Sequence, residues 1–307
     1  MLLLKRLYRN KYMEENAKTN KNWKICSSFV LKIIAFLTMT LDHIGVMSYS
    51  YYLSGTWIDI FRIIGRLAMP LFCFMIVEGV IHTKSFGKYA LRLGILAALI
   101  STSFIILVSV PDLGFADIRD YGNIFIDLLM GATAVYCLRL KGFKKLFALL
   151  PTAFIITSFI VCKYEYTSGA MIHWFPYFLR AQYNLLSFTL IIFFYLSYVV
   201  KDLFFKWHTA QIGVDEDAFK GTDIERTTAN IISALFLVTI TLLFHFFSDY
   251  LMVGALSVQI YALFAGAFIL LYNGKRGYNS KWFEYGGYAY YPVHILIIAL
   301  VFYLISL

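Results

Sequence analysis

Nine apolar runs, each about as long as a helix needs to cross roughly 30 Å of hydrocarbon, dominate this chain. They cover 28–49, 58–81, 89–111, 122–140, 144–162, 183–205, 227–248, 250–272 and 286–307. Lipid offers no partners for backbone N–H and C=O groups, so such runs must satisfy them internally as helices. The expectation is an all-α polytopic bundle of about nine transmembrane helices, with eight to ten as the range. Composition agrees: 60% of the 307 residues are hydrophobic and 15% charged, with a mean hydropathy of +0.71. A soluble protein of this length could not bury that much apolar surface, which excludes the two-domain soluble reading. The net charge of +9 would suggest a nucleic-acid partner in a soluble chain. Here its placement matters more than its sum, and no nucleic-acid partner is expected.

The bases fall on alternate connections. Lys5, Arg6, Arg9, Lys11, Lys18, Lys21 and Lys24 precede the first run. Lys84 and Lys88, then Arg139, Lys141, Lys144 and Lys145, follow the second and fourth. Lys201, Lys206, Lys220 and Arg226 follow the sixth, and Lys275, Arg276 and Lys281 follow the eighth. The opposite connections hold only Arg119, Lys163 and Arg180. By the positive-inside rule the N-terminus is cytoplasmic, in a cell-membrane protein whose partner is the lipid bilayer. The domain reading is a basic tail, 1–27, and one transmembrane domain, 28–307, with a cytoplasmic loop near 206–226. The segment 163–182 is too polar for a clean span and is expected at the interface or re-entering the membrane. MLLLKRLYRN is too short in apolar residues to be a signal peptide. Cys26, Cys73, Cys137 and Cys162 lack CxxC spacing and read as packing residues, with no metal site expected.

Ionisable groups at membrane depth each cost about 2.5–3.5 kcal/mol on insertion scales, so each needs a partner or a wet cavity. At 1.5 Å per residue, Asp42 lies about 10 Å below the outer surface, and Arg62 and Arg66 at about 6 and 12 Å. With His43 they share one layer, and the two arginines share a helix face. Two readings stand. The first is an ion pair joining helices. The second is a site in which His43 is a general base, oriented by a carboxylate and flanked by cations for developing negative charge. Asn123, Asp127 and His245 reach similar outer depth, and Asp127 is expected to face a cavity. Glu78, His82, Asn273, Lys275, Arg276 and His294 form a second layer nearer the cytoplasm, His294 about 12 Å from the inner face. Pro70 and Pro292 are expected to bend their helices and free backbone groups beside a cavity. A transporter or proton-coupled carrier using the Asp/His/Arg cluster is the rival to an enzyme. A scaffold with buried ion pairs is a third reading.

Specific blocks then add to this. LKIIAFLTMTLDHIG and FRIIGRLAMPLFCFMIVEGVIHT resemble the TraX family of integral membrane proteins, as do GNIFIDLLMGATAVY, LLYNGKRG and YYPVHILI. The likeness covers the first 140 residues and 259–300 well. Between about 145 and 250 it is general, and KYEYTSGA stands where the family often carries a DYG-type segment. The resemblance implies a membrane acetyltransferase related to the wider transmembrane acyltransferases. Acetyl-CoA would be the donor, and a peptide amine or glycan hydroxyl the acceptor. Carried over by motif, Asp42, His43 and His294 become candidate catalytic residues. Arg62, Arg66, Glu78, His82 and Asn123 become substrate-binding candidates beside Asp127 and His245. Asn273, Lys275 and Arg276 become the donor-binding set.

Overall fold

In a computed structural model the chain is described over residues 24–48, 55–109, 122–254 and 257–306. The bases of the tail up to Lys21, and Arg119, lie outside these residues. Ten α-helices carry the fold. They are α1 (Ser28–Ser48), α2 (Gly55–Gly65), α3 (Ala68–His82), α4 (Phe86–Ser109) and α5 (Ile124–Leu138), then α6 (Leu149–Ser168), α7 (Leu185–Ile212), α8 (Asp223–Phe246), α9 (Ala265–Leu270) and α10 (Lys281–Ser306). A 3-10 stretch, Gly142–Ala148, leads into α6, and another, Ser257–Phe264, leads into α9. A single turn, Ser248–Leu251, follows α8. Among the described residues the sole β feature is an isolated bridge between Cys26 and Tyr272.

Each of the nine expected runs overlaps at least one of these helices, and 58–81 overlaps two. Among the described residues seven helical stretches are long and apolar enough to cross a membrane; Ile124–Leu138 and Ser257–Leu270 are shorter. The chain is therefore an all-helical, multi-pass membrane protein.

The second run is broken. Backbone bonds from Arg66 to Ile63 and from Leu67 to Ile64 tighten the chain between α2 and α3. Pro70, at the third position of α3, has no N–H to give the Arg66 carbonyl and crowds it, so the α-helical ladder stops there. Pro292 lies inside the continuous α10. Thr222 caps α8, its hydroxyl accepting from the Glu225 amide while Glu225 accepts from Gly221 N, a near capping box. Gly213 ends α7 at a φ of 64°, a conformation that favours glycine. Because α7 runs to Ile212, the expected loop 206–226 contracts to about 213–222.

The core is centred on α3, which packs on α1, α5, α7 and α9 and buries Leu71, Phe74, Val77 and Val80 completely. In contrast, α10 packs chiefly on α1. These two helices run parallel: Phe29 meets Phe283, Thr40 bonds Tyr290 and His43 bonds His294. The strand-like link 271–276 clamps the start of α1 through Cys26 N to Leu271 O at 3.0 Å and Ser28 N to Lys275 O at 2.9 Å. Near the same end, Arg226 of α8 reaches Glu78 of α3. The expected cytoplasmic ends of these helices thus share one end of the bundle.

The segment 163–182 ends inside the bundle. After α6 ends at Gly169 it folds back into the bundle, and Arg180 and Ala181 are buried. Arg180 pairs with Glu165, Phe178 O accepts from Ser101 Oγ at 2.5 Å, and Ala181 N donates to Ser158 Oγ at 3.0 Å. Gly122 is where a Cβ would strike the Ala181 carbonyl, so the segment can pass this closely only over glycine.

Candidate functional site

The α1–α2 hairpin brings Asp42 against both arginines. Arg62 Nη1 donates to Asp42 Oδ1 at 2.9 Å, and Arg66 Nη2 donates to the same oxygen. Arg66 also donates through Nε to Arg62 O at 3.2 Å and through Nη1 to Gln259 Oε1 at 3.3 Å. This depends on Gly65, since a Cβ there would overlap the Asp42 side chain. One carboxylate against two guanidiniums leaves one positive charge in surplus. Arg66 is only 3% exposed, where a desolvated charge acts strongly on its surroundings.

His43 does not take its orientation from Asp42, whose shared oxygen is committed to the arginines. Its partner is His294. His43 Nδ1 and His294 Nε2 are 2.7 Å apart, and the rings stack at 4.9 Å. His294 Nδ1 lies 2.8 Å from Tyr290 O. A carbonyl can only accept, so Nδ1 of His294 carries the proton. With both rings uncharged, His294 Nε2 then accepts from His43 Nδ1–H, and His43 Nε2 holds a lone pair that no described residue bonds. The two histidines expected in separate layers therefore form one relay across the α1–α10 seam. Tyr291 packs edge-on against His43 at 6.2 Å and against His294 at 5.6 Å.

Asn123 and Asp127 differ from expectation. Asn123 Nδ2 donates to Ala97 O at 2.7 Å and Ser101 Oγ at 3.1 Å, and its Oδ1 caps α5 through Phe125 N. Both of its amide hydrogens are in use. Asp127, 0% exposed, faces protein and not a cavity. It accepts from Gln182 N at 2.6 Å, Tyr183 N at 3.2 Å and Ser187 Oγ at 2.6 Å, tying down the entry to α7. That entry is strained: Asn184 has a φ of 47°, unusual for a non-glycine residue. One consequence bears on the site, because the Tyr183 phenol neighbours Arg66. Tyr183, Tyr291 and Gln259 escaped the sequence reading. Tyrosine and glutamine in apolar runs carry no charge to mark them, and only the fold brings them to the cluster.

At the other end of the bundle Glu78 accepts from Tyr272 at 2.7 Å and pairs with Arg226 at 3.2 Å, while Tyr198 also takes a bond from Arg226. His82 is exposed beside it, bonding its own helix at Glu78 O. A cavity of about 290 Å³ adjoins this network, lined among others by Lys201, Thr222, Glu225, Arg226, Asn273 and Lys275. Arg276 turns away toward Glu284 at 3.8 Å. Lys201 pairs with Glu225 at 2.5 Å and Arg226 with Glu78, so Lys275 is the base of this lining that has no ion-pair partner among the described residues. His245 lies apart from both clusters, half-buried in the wall of a second cavity of about 200 Å³.

A family model described as TraX protein matches residues 27–215, more than half of the chain. The matched stretch holds Asp42, His43, Arg62, Arg66, Glu78, Asn123 and Asp127 and includes the middle segment around 163–182. Residues 259–300, where likeness was also expected, lie beyond it. A probable fimbrial assembly protein FimC, serogroup H1, of Dichelobacter nodosus is 32% identical over 113 residues, 36% of this chain and 45% of that protein. An uncharacterized protein, RP591, of Rickettsia prowazekii (strain Madrid E) is 49% identical over 45 residues, 15% of this chain and 16% of that protein. The matches thus span less than half the length of these relatives. No solved structure matches.

Proposed function

The chain belongs to the TraX protein family, and from that premise we propose that it is a membrane-embedded acyltransferase. It takes an acetyl group from cytoplasmic acetyl-CoA and passes it to an amine or hydroxyl of an acceptor that enters from the membrane or the far side. The observation that carries the reading is the relay from Tyr290 O through His294 to His43. It fixes the His43 tautomer and leaves Nε2 as a proton acceptor, the arrangement of a general base oriented by a second group. In the reaction, His43 Nε2 takes the proton of the acceptor N–H or O–H as its heavy atom attacks the thioester carbonyl. The tetrahedral oxyanion is offset by the surplus positive charge of Arg62 and Arg66 over Asp42. The C–S bond breaks, and the departing thiolate recovers the proton from His43. The products are acetylated acceptor and free CoA.

The donor's phosphates belong, on this reading, at the 290 Å³ cavity. Lys275 supplies unpaired charge there and the backbone around Gly274 a close approach. Nine spans with the N-terminus inside put this cavity on the cytoplasmic face, as the placement of the bases requires. Helices of 15 and 14 residues serve as the short spans, packed within the bundle where the bilayer need not be matched. The name of the Dichelobacter relative, a fimbrial assembly protein, supports a pilin-like peptide as acceptor. Acetyl-CoA and candidate peptides, incubated with the purified chain in lipid nanodiscs and read by mass spectrometry, test the proposal. Transfer by the wild type and none by His43→Ala is expected. A wild type that neither consumes acetyl-CoA nor acetylates any acceptor refutes the enzyme in favour of a carrier.

A further inference from the structure

The second cavity, of about 200 Å³, lies between α8 and the 3-10 stretch Ser257–Phe264, walled by Thr241, His245, Ser248, Met252, Gln259 and others. Two polar atoms of this wall are buried without a hydrogen-bond partner among the described residues: Thr241 Oγ1 and Gln259 Nε2. Their residues are 3% and 5% exposed. The orientation of the Gln259 amide is fixed by chemistry. Arg66 Nη1 can only donate, so the atom facing it at 3.3 Å is the carbonyl Oε1, and the N–H₂ points the other way. An unsatisfied buried donor carries a desolvation penalty that a bound acceptor atom removes. Ser248 and His245 add two further groups able to donate. The residue linking the cavity to the Asp42–Arg66 cluster is Gln259 itself, and that cluster carries one surplus positive charge.

Resting on the acyltransfer reading, we propose that this cavity is an anchoring subsite for the acyl acceptor, binding a carbonyl or carboxylate oxygen between Gln259 Nε2 and Thr241 Oγ1. The wall offers donors and no carboxylate side chain, so a group presenting acceptor oxygens fits it. The acceptor's reacting amine or hydroxyl would lie outside the cavity, with the anchored oxygen elsewhere in the same molecule. Gln259, within the 3-10 stretch Ser257–Phe264, both accepts from Arg66 and lines the cavity.

Trialanine and its C-terminal amide are the probes, titrated against the full chain in nanodiscs and followed by saturation-transfer NMR. Saturable binding of trialanine is expected, weakened about fivefold in Thr241→Val, the loss of about one hydrogen bond. Tighter binding of the acid than of the amide identifies the carboxylate as the anchored group, and equal binding identifies a peptide carbonyl. Thr241→Val keeps the side chain's shape, and Gln259→Met, checked by thermal unfolding, should weaken binding by more. Equal binding to wild type and both folded variants, or no saturable binding at all, overturns the subsite. The probe needs no turnover, so His43→Ala protein should bind it normally. Binding that depends on Thr241 together with full transfer by His43→Ala would sink the catalytic reading and leave the subsite standing.

Discussion

Two aspartates expected at comparable depth, Asp127 and Asp42, are separated by their surroundings. Asp127 accepts from two backbone amides and from a serine hydroxyl that also reaches the Asn184 carbonyl; it closes a turn. Asp42 holds two guanidiniums by one oxygen and leaves a cationic surplus beside a histidine with an unbonded ring nitrogen. Charge at membrane depth is therefore a poor guide to chemistry. What distinguishes the regions is whether the hydrogen-bonding capacity is exhausted inside the fold. At Asn123 Nδ2 and the Asp127 carboxylate it is used, although Arg180 Nε and Asn184 Oδ1 nearby lack partners among the described residues; at His43 Nε2 and Gln259 Nε2, beside the cationic surplus, it is not.

The sharpest way to break this comparison is Asp127→Ala. It orphans the Gln182 and Tyr183 amides, while Ser187 keeps the Asn184 carbonyl; at about 1–3 kcal/mol per orphaned donor, destabilisation on the order of 2–6 kcal/mol is expected. Thermal unfolding in detergent reads it out; a well-folded variant would show that the turn does not depend on the carboxylate. His43→Ala, by contrast, should melt near the wild-type temperature while transfer falls by roughly 10²–10⁴-fold. Full turnover in that variant removes His43 as the base.

Smaller effects follow at the edges of the same cluster. Gly65→Ala forces α1 from α2 at Asp42 and should cost about 1–3 kcal/mol as an overpacking change. Gly94→Ala, whose Cβ meets nothing within 4 Å, is the control that should not destabilise; equal melting of the two would show that the close approach is unimportant. Loss of the relay partner in His294→Ala should lower transfer about tenfold and change its pH profile, because His43 is no longer held in one tautomer. An unchanged profile would make His294 a packing residue. Least of all, Lys275→Ala should raise KM for acetyl-CoA a few-fold and leave kcat unaltered, as loss of a single exposed charge contact would. An unchanged KM would move the donor away from the 290 Å³ cavity.

The helices themselves were readable because their cause is local. A run of about twenty apolar residues has one way to satisfy its backbone in lipid, and seven of the helices are long and apolar enough to span, though the run 183–205 continues as helix to Ile212 and 250–272 holds only short helical pieces. The hairpin cluster was readable for the same reason: Arg62 and Arg66 lie one turn apart, and α1 and α2 are adjacent in sequence. The helix break was half visible in Pro70.

What depended on contacts far apart in the chain could be decided only by the tertiary structure. His43 and His294 are 251 positions apart, and nothing in either run indicates which turn of α10 faces α1. The inward fold of 163–182 rests on Ser101, Asn123, Asp127 and Ser158, polar residues whose partners are carbonyls and amides present in every sequence. A carboxylate in an apolar run states that it must be compensated. Whether a backbone turn or a guanidinium compensates it is settled by packing, and here that choice separates a structural aspartate from one at the candidate site.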